Sequence, residues 1–341
     1  MAGRQRQLVL LTHAASRYNG PDDSALHPEP RSVGGVSVRR RSQVAQAFIA
    51  HMQIWQDGLV AGESSYVERA PMPALTPLVS SVWVQQVGDR VVTQRHVPHG
   101  GAEVRCVLGE PPRLLGPLTT SAYHDIPAGG TVVGIRLRPG VLGGLVGMPA
   151  DELVDQDVAG TDIWGDVVRL TGILGEAVTP QAALEVLQSF LARSAGELDP
   201  VVDEAVVRLM PGSVGRTAAL PALLSISERQ LRRRCRAAVG LGPKELHRIL
   251  RFQGFIARVQ ASVDQQDASE VDLARWAVEA GYHDQAHLSR ECRRLAGAPP
   301  GELLAQYGAA CACGHEHAVS YLPMLARGDG RFVQEGRSVP A

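Results

Sequence analysis

From Gly215 to Leu304 the chain repeats itself, and that repetition restricts the fold more than any other feature. The series Leu231, Arg233, Cys235, Arg236, Gly240, Pro243 recurs 57 residues on as Leu288, Arg290, Cys292, Arg293, Gly297, Pro300. Self-similarity at a fixed offset means one structural unit used twice. Each copy reads as a helix with its own start and stop signals. Ser227 and Asp284 are good N-caps, and Ser227 with Gln230 fits a capping box. Leu231, Cys235 and Ala238 recur at helical spacing, as do Leu288, Cys292 and Leu295, giving each helix one apolar face. Gly240 and Gly297 end the helices, with Pro243 and Pro300 beyond. A shorter apolar helix precedes each cap, at Thr217–Leu224 and Leu273–Ala280. Gly281 marks the tight turn of the second unit, and Leu224-Ser225 stands there in the first. Each copy is therefore predicted to be a helix-turn-helix.

The polar faces point to a partner. The first long helix carries Arg229, Arg232, Arg233 and Arg236; the second carries Gln285, His287, Arg290, Arg293 and Arg294. Arginine, glutamine and histidine donate hydrogen bonds to phosphates and to base edges in a major groove. Net charge supports this only through its distribution. The whole chain is at −1, whereas residues 216–307 hold 14 Lys+Arg against 10 Asp+Glu. Excess positive charge thus lies on the repeat, as a DNA footprint requires.

Residues 216–304 resemble the tandem DNA-binding domain of the AraC family of transcription regulators. The pattern Gly281-Tyr282-x-Asp284-x-x-His287-Leu288-x-Arg290, followed by Gly297-x-x-Pro300, carries the likeness. Gly240-x-x-Pro243 and Arg251-Phe252 match the end of the first unit and the connecting helix. Cys235 and Cys292 stand where that family commonly has a large apolar residue, which reads as a less filled core or as a thiol redox switch. Residues 66–165 more loosely resemble the β-rich N-terminal domain of some of these regulators, through Ala74-Leu-x-Pro77, Trp83, Pro98-x-Gly100-x-x-Glu103, Gly116-Pro117, Gly134-x-Arg136-x-x-Pro139-Gly140 and Trp164-Gly165. His99 stands where that pattern commonly has Asp. The resemblance implies double-stranded promoter or operator DNA as partner. RNA polymerase, a small-molecule effector and a second copy of the chain are further partners it implies. No cofactor is implied.

The remaining residues bound this reading. At 341 residues and 45% hydrophobic, the chain holds two domains and tails. No apolar run approaches the ~20 residues of a membrane helix. Five cysteines, an odd number, fit a reducing cytoplasm better than a disulfide framework. Residues 1–63 show little folding logic, apart from an amphipathic stretch at Ser42–Gln56. Short Val-rich runs at Leu78–Gln85, Arg90–Val97, Glu103–Leu108, Arg113–Thr119 and Thr131–Arg138 predict an antiparallel sheet or small barrel. Helices are predicted at Asp166–Ala177 and Gln181–Ser194, a linker at Ser194–Leu198, and a helix at Asp199–Leu209. Lys244–Ser262 is predicted to be a long helix joining the two units. The fold class is thus α+β: a β-rich domain over 66–195, then an all-α tandem helix-turn-helix domain over 199–307, with a tail over 308–341.

Four residues of the β-rich half, Trp83, His99, Glu103 and Arg136, are candidates to line a ligand site. Their bland alternatives are a core tryptophan and a Glu103–Arg136 pair. His96 and His99 beside Glu103 suggest metal, but a strand spacing of three puts them on opposite faces. In the tail, Cys311, Cys313, His315 and His317 have zinc-ligand chemistry at unusually tight spacing. The rival to a regulator is a DNA-repair alkyl-transfer protein built on the same module, with Cys106 or the tail cluster supplying its reactive thiol.

Overall fold

The computed structural model describes residues 64–211, 217–264 and 272–310. The N-terminal half is built from eight strands: β1 (Ser65–Arg69), β2 (Val79–Gln86), β3 (Val92–His96), β4 (Glu103–Val107), β5 (Arg113–Leu115), β6 (Ala122–Ile126), β7 (Thr131–Leu137) and β8 (Asp157–Ala159). Six form one antiparallel sheet in the order β1-β2-β7-β4-β5-β8, and β3 and β6 form a separate two-stranded ribbon. The sequence predicts five of these strands and misses β1, β6 and β8. Strand β1 reads Ser-Tyr-Val-Glu-Arg, with Tyr66 and Glu68 at the positions that turn inward, and β6 reads Ala-Tyr-His-Asp-Ile, with His124 between the inward Ala122 and Ile126, so neither shows a clean apolar alternation. Strand β8 has only 3 residues. Strand β5 ends earlier than predicted, because Gly116-Pro117 follows and proline cannot donate to a ladder.

The two faces of the sheet differ in chemistry. Val82, Val84, Val104, Cys106, Leu114, Val133, Ile135 and Leu137 alternate onto one face and are buried. Helix α1 (Leu142–Val146) follows the sheet, then α2 (Val167–Gly175) and α3 (Pro180–Ser194). The α3 helix lies against β2 and β7 and buries Ala183, Leu184, Leu187 and Leu191. Cross-strand register places Tyr66, Glu68, Ser81, Trp83, Gln85, Glu103, Arg105, Gly134 and Arg136 on the opposite face. The ribbon covers that face: Ile126 from β6 joins Trp83, Val87 and Val132 in one apolar cluster, with Val92 of β3 against it. Sheet and ribbon together enclose a polar interior.

The C-terminal half is all helix: α4 (Pro200–Leu209), α5 (Leu220–Leu223), α6 (Glu228–Val239), α7 (Pro243–Asp264), α8 (Leu273–Glu279), α9 (Gln285–Ala296) and α10 (Pro300–Ala310). Helix α5 is shorter than predicted, because Thr217–Ala219 ahead of it is a 3₁₀ turn. The central helix α7 is fully apolar along one stripe: Leu246, Ile249, Leu250, Phe252, Phe255, Ile256 and Val259 are at most 3% exposed. Burying each such side chain contributes about 1.5–3 kcal/mol, so α7 is the pillar of this half. Leu231, Cys235 and Val239 of α6 and Leu288, Cys292 and Leu295 of α9 pack into the same core. The repeated apolar residues are thus the ones that seat the two units on one pillar.

The halves are packed on each other. Val97 and Val154 of the β-rich half join the helical core, and Gln253 Nε2 of α7 donates to Pro98 O at 2.6 Å. The predicted linker is tied down as well, with Gly196 N donating to Gly144 O at 3.1 Å.

Candidate nucleic-acid interface

Local chemistry fixes the ends of both candidate reading helices. At α6 the Ser227 hydroxyl accepts from Gln230 N at 3.2 Å, and the Gln230 side chain accepts from Ser227 N at 2.9 Å. At α9 the Asp284 carboxylate accepts from His287 N at 2.6 Å. Both helices stop at a left-handed glycine, Gly240 at φ 87° and Gly297 at φ 71°. In the first unit Ser225, at φ 53°, takes the left-handed turn that Gly281 takes in the second at φ 79°. Serine has no glycine-like freedom there, so the sequence signal for that turn is weak.

The two polar faces are presented differently. On α6, Arg229, Arg232, Arg233 and Arg236 are all exposed, and none has an ion-pair partner among the described residues. Arg234, between them, turns inward to Asp199 at 2.9 Å. On α9, Gln285, Arg290 and Arg293 are exposed, whereas His287 is half-buried with its ring edge-on to Tyr282 at 5.2 Å. Tyr282 in turn lies beneath the Arg251 guanidinium, 4.5 Å from the ring centre. Arg248 of α7 holds Glu291 with two hydrogen bonds, at 3.0 and 2.5 Å. This pair locks α9 onto the pillar. A straight 22-residue helix is about 33 Å long, close to the ~34 Å repeat of the major groove on one face of B-DNA.

The repeated cysteines sit in the core of the helical half. Burial pushes the Cys235 thiol up to about 11 and the Cys292 thiol up to about 12, and both are fully buried. They act as small apolar residues. Cys106 is buried as well. Burial, with the nearby Glu110 charge, raises it to about 12, and a thiolate is the reactive form.

In the polar interior, Glu103 and Arg136 are direct cross-strand partners, with Nε to carboxylate at 3.2 Å. Arg136 also donates to Glu68 at 2.7 Å and to the Tyr66 hydroxyl at 3.0 Å, and Ser81 bonds to Glu68. From the ribbon, His96 Nδ1 meets Glu103 at 3.2 Å, and His96 Nε2 meets His124 Nδ1 at 2.7 Å. Burial alone disfavours the Glu103 carboxylate, but His96 and Arg136 outweigh it and hold this group well below the usual range. Burial lowers His99 to about 4, with Arg136 adding to the effect. Burial also lowers His124 to about 3, with Arg105 and His96 adding. Trp83 is fully buried, its ring lying so closely across Gly134 that a Cβ there would overlap the indole.

All four sequence candidates in this half therefore face one interior. The opposite-faces argument about His96 and His99 fails, because β3 ends at His96 and His99 lies beyond the strand, just ahead of the bend at Gly100-Gly101. Even so, no group of three metal-ligating side chains is assembled among the described residues. Cys311, Cys313, His315 and His317 lie outside the described residues, as does Ser42–Gln56. The sequence missed Tyr66, Glu68, Arg105 and His124 as members of the interior. Only cross-strand register brings them there, although the inverted polarity of β1 is a usable signal.

Two helix-turn-helix units seated on one helix, each with a capped, cation-bearing second helix, define a tandem DNA-binding module. Residues 220–306 match the family model described as a helix-turn-helix domain, and residues 67–159 match a domain of unknown function (DUF6597). The C-terminal domain of the chain is thus a helix-turn-helix domain of AraC type. Among solved structures the chain is similar to ToxT from Vibrio cholerae. An apo variant is 12% identical over 71% of this chain and 96% of that one, with TM-score 0.34. ToxT bound to (E)-4-(8-methylnaphthalen-1-yl)but-3-enoic acid is 10% identical over 72% and 98%, with TM-score 0.35. No curated protein gives a significant match. No described helix is long and apolar enough to cross a membrane.

Proposed function

We propose that this protein is a transcription regulator that reads a two-part, non-palindromic DNA site with α6 and α9, under control of a small uncharged polar molecule held between the sheet and the ribbon. On this reading Arg229, Arg232, Arg233 and Arg236 of α6 serve one major-groove segment, and Gln285, Arg290 and Arg293 of α9 the next. His287 contributes from the edge. The division into a sensory half over 66–195 and a DNA-binding half over 199–307 goes with it, as do a cytoplasmic location, RNA polymerase as a working partner and a second copy of the chain at some sites.

One observation carries the effector half of this proposal. Trp83 Nε1, Gln85 Oε1, Gln94 Oε1, His99 Nε2, Arg105 Nη1 and His124 Nε2 are buried without a hydrogen-bond partner, and all belong to the interior face or the segment that closes it. Each unpaired buried polar atom costs about 1–3 kcal/mol, and several in one place are a natural lining for a ligand. The set mixes donors and acceptors. The charges are already matched, Arg136 by Glu68 and Glu103, and Arg105 by Asp157. An uncharged molecule rich in hydroxyl or amide groups fits this lining better than a carboxylic acid.

The test is a thermal-shift panel on the full chain, pairing uncharged polyols and amides with carboxylates and fatty acids. Stabilisation by an uncharged polar compound, lost in the Trp83→Phe/Gln94→Leu variant, supports the reading. Stabilisation by acids alone, or undiminished in that variant, defeats it. DNA binding is tested separately by selecting sites from random duplexes. A selected site shorter than about one helical turn of ~10 base pairs would rule out simultaneous reading by α6 and α9.

A further inference from the structure

The two reading helices are attached to the β-rich half by different kinds of contact. The C-terminal end of α6 is clamped backbone to backbone. A Cβ at Gly143 of α1 would collide with Ala237 O, and one at Gly240 would lie 2.9 Å from Ala150 O. Contacts that close leave no room for adjustment. The C-terminal end of α9 is held by side chains from the ribbon and the loop leading into it. Arg95 Nη1 donates to Ala296 O at 3.2 Å, and Thr120 Oγ1 donates to Arg294 O at 3.2 Å. The Ser121 and Tyr123 hydroxyls face Gly297. These groups serve last-turn carbonyls that a helix cannot satisfy by itself, and the Arg95 charge suits the negative end of the helix dipole. Thr120 is exposed and Arg95 half-buried, so this attachment is polar and open to water.

The ribbon that carries this clasp is also a wall of the interior. Side chains alternate across a strand. In β3, Gln94 and His96 turn inward while Thr93 and Arg95 turn outward; in β6, His124 and Ile126 turn inward while Tyr123 and Asp125 turn outward. Register pairs Arg95 with Tyr123 and Gln94 with His124. The inward His124–His96–Glu103 chain and the outward Arg95–Ala296 contact are therefore one residue apart on the same two strands. The ribbon is hydrogen-bonded to no strand of the main sheet, so it can shift without breaking that sheet's ladder.

From this we infer that the β3–β6 ribbon is the coupling element of the regulator: Arg95 and Thr120 are positioning residues for α9, and the state of the interior sets how α9, and not α6, is presented to DNA. The coupling rests on the proposed interior site for its signal, but its mechanics are independent of any effector. First, His124→Ala removes an inward contact without touching Arg95, Thr120 or Tyr123. In the full chain it should speed amide exchange over residues 293–297 on the order of five- to tenfold, the size of one lost hydrogen bond, and leave residues 236–240 of α6 unchanged. Arg95→Ala with Thr120→Ala should do the same from outside. In binding to a duplex selected from a random library, both variants should lose preference at the base pairs read by α9 and keep it at those read by α6. Equal change at both helix ends, or none at 293–297 while 92–96 and 122–126 loosen, overturns the inference. Should His124→Ala not fold, the unaltered protein decides the matter. Coupling is reciprocal, so adding the selected duplex must change exchange in the ribbon; an unchanged ribbon overturns the inference. No effector enters these measurements, so a failed thermal-shift panel would remove the proposed ligand and leave the coupling to stand or fall by itself.

Discussion

Among single residues, neighbouring arginines on one helix separate into two jobs. Arg233 and Arg234 are adjacent, yet Arg233 is exposed and Arg234 is turned to Asp199. Arg233→Ala should cost about 1–3 kcal/mol of binding if its contact is to guanine, and relax preference in one half of the site only. Arg290→Ala should act likewise in the other half. Arg234→Ala should leave base preference alone and cost at most about 1 kcal/mol of stability, as partly exposed ion pairs do. Binding titrations at two salt concentrations, beside denaturant melts, distinguish these outcomes, because a phosphate contact weakens all sequences and flattens the salt dependence. In the other half Gly134 has a single task, to admit Trp83. Gly134→Ala forces a methyl group into the indole and should destabilise by about 1–3 kcal/mol or more, read as a lowered midpoint in urea.

Among the helices, α6 depends on its capping box more than on propensity. Its exposed face stacks arginines whose charges repel, so the helix needs its ends secured. Ser227→Ala removes one half of a reciprocal pair and should cost about 1 kcal/mol. Asp284→Ala should likewise destabilise α9, where the N-cap carboxylate is held below its usual range, first by the His287 amide and then by His283. Asp284→Asn keeps the cap acceptor and should recover most of that loss. Calorimetric melting of the three variants checks this; equal losses for Asp284→Asn and Asp284→Ala would mean that charge, and not the hydrogen bond, does the capping.

Across the molecule, the buried interior makes stability depend on acid. His99 and His124 ordinarily titrate near 6.5 and are lowered in the fold to about 4 and about 3. The unfolded chain therefore binds protons first as pH falls below 6.5, and stability drops until the folded values are reached. Glu103, ordinarily near 4.5, is also depressed; its contribution is present above that value and is lost below it. All three act in one direction. The melting temperature should be level above about pH 7, decline below 6.5 and fall more steeply below 4.5. His124→Gln should flatten the upper part of that decline, and a melting temperature that rises on acidification would contradict the assignment of these groups.

The helical half can be read from the amino-acid order alone. Its caps, stops and apolar stripe are local signals, and the 57-residue offset states each of them twice, so α6, α7 and α9 are legible with their boundaries nearly right. The suitability of Glu103 and Arg136 to pair is legible too, since opposite charges on neighbouring strands have little else to meet. Which face of the sheet lies inside is a matter of packing. Strands β1 and β6 place Tyr66, Glu68 and His124 inward, against the rule that apolar residues go in, and cross-strand register alone brings them to Trp83 and Arg136. The clasp of Arg95 and Thr120 on α9 is equally hidden, because it joins residues 201 and 174 positions apart. Local chemistry is written within a turn or two of chain, whereas register and docking depend on residues that only packing makes neighbours.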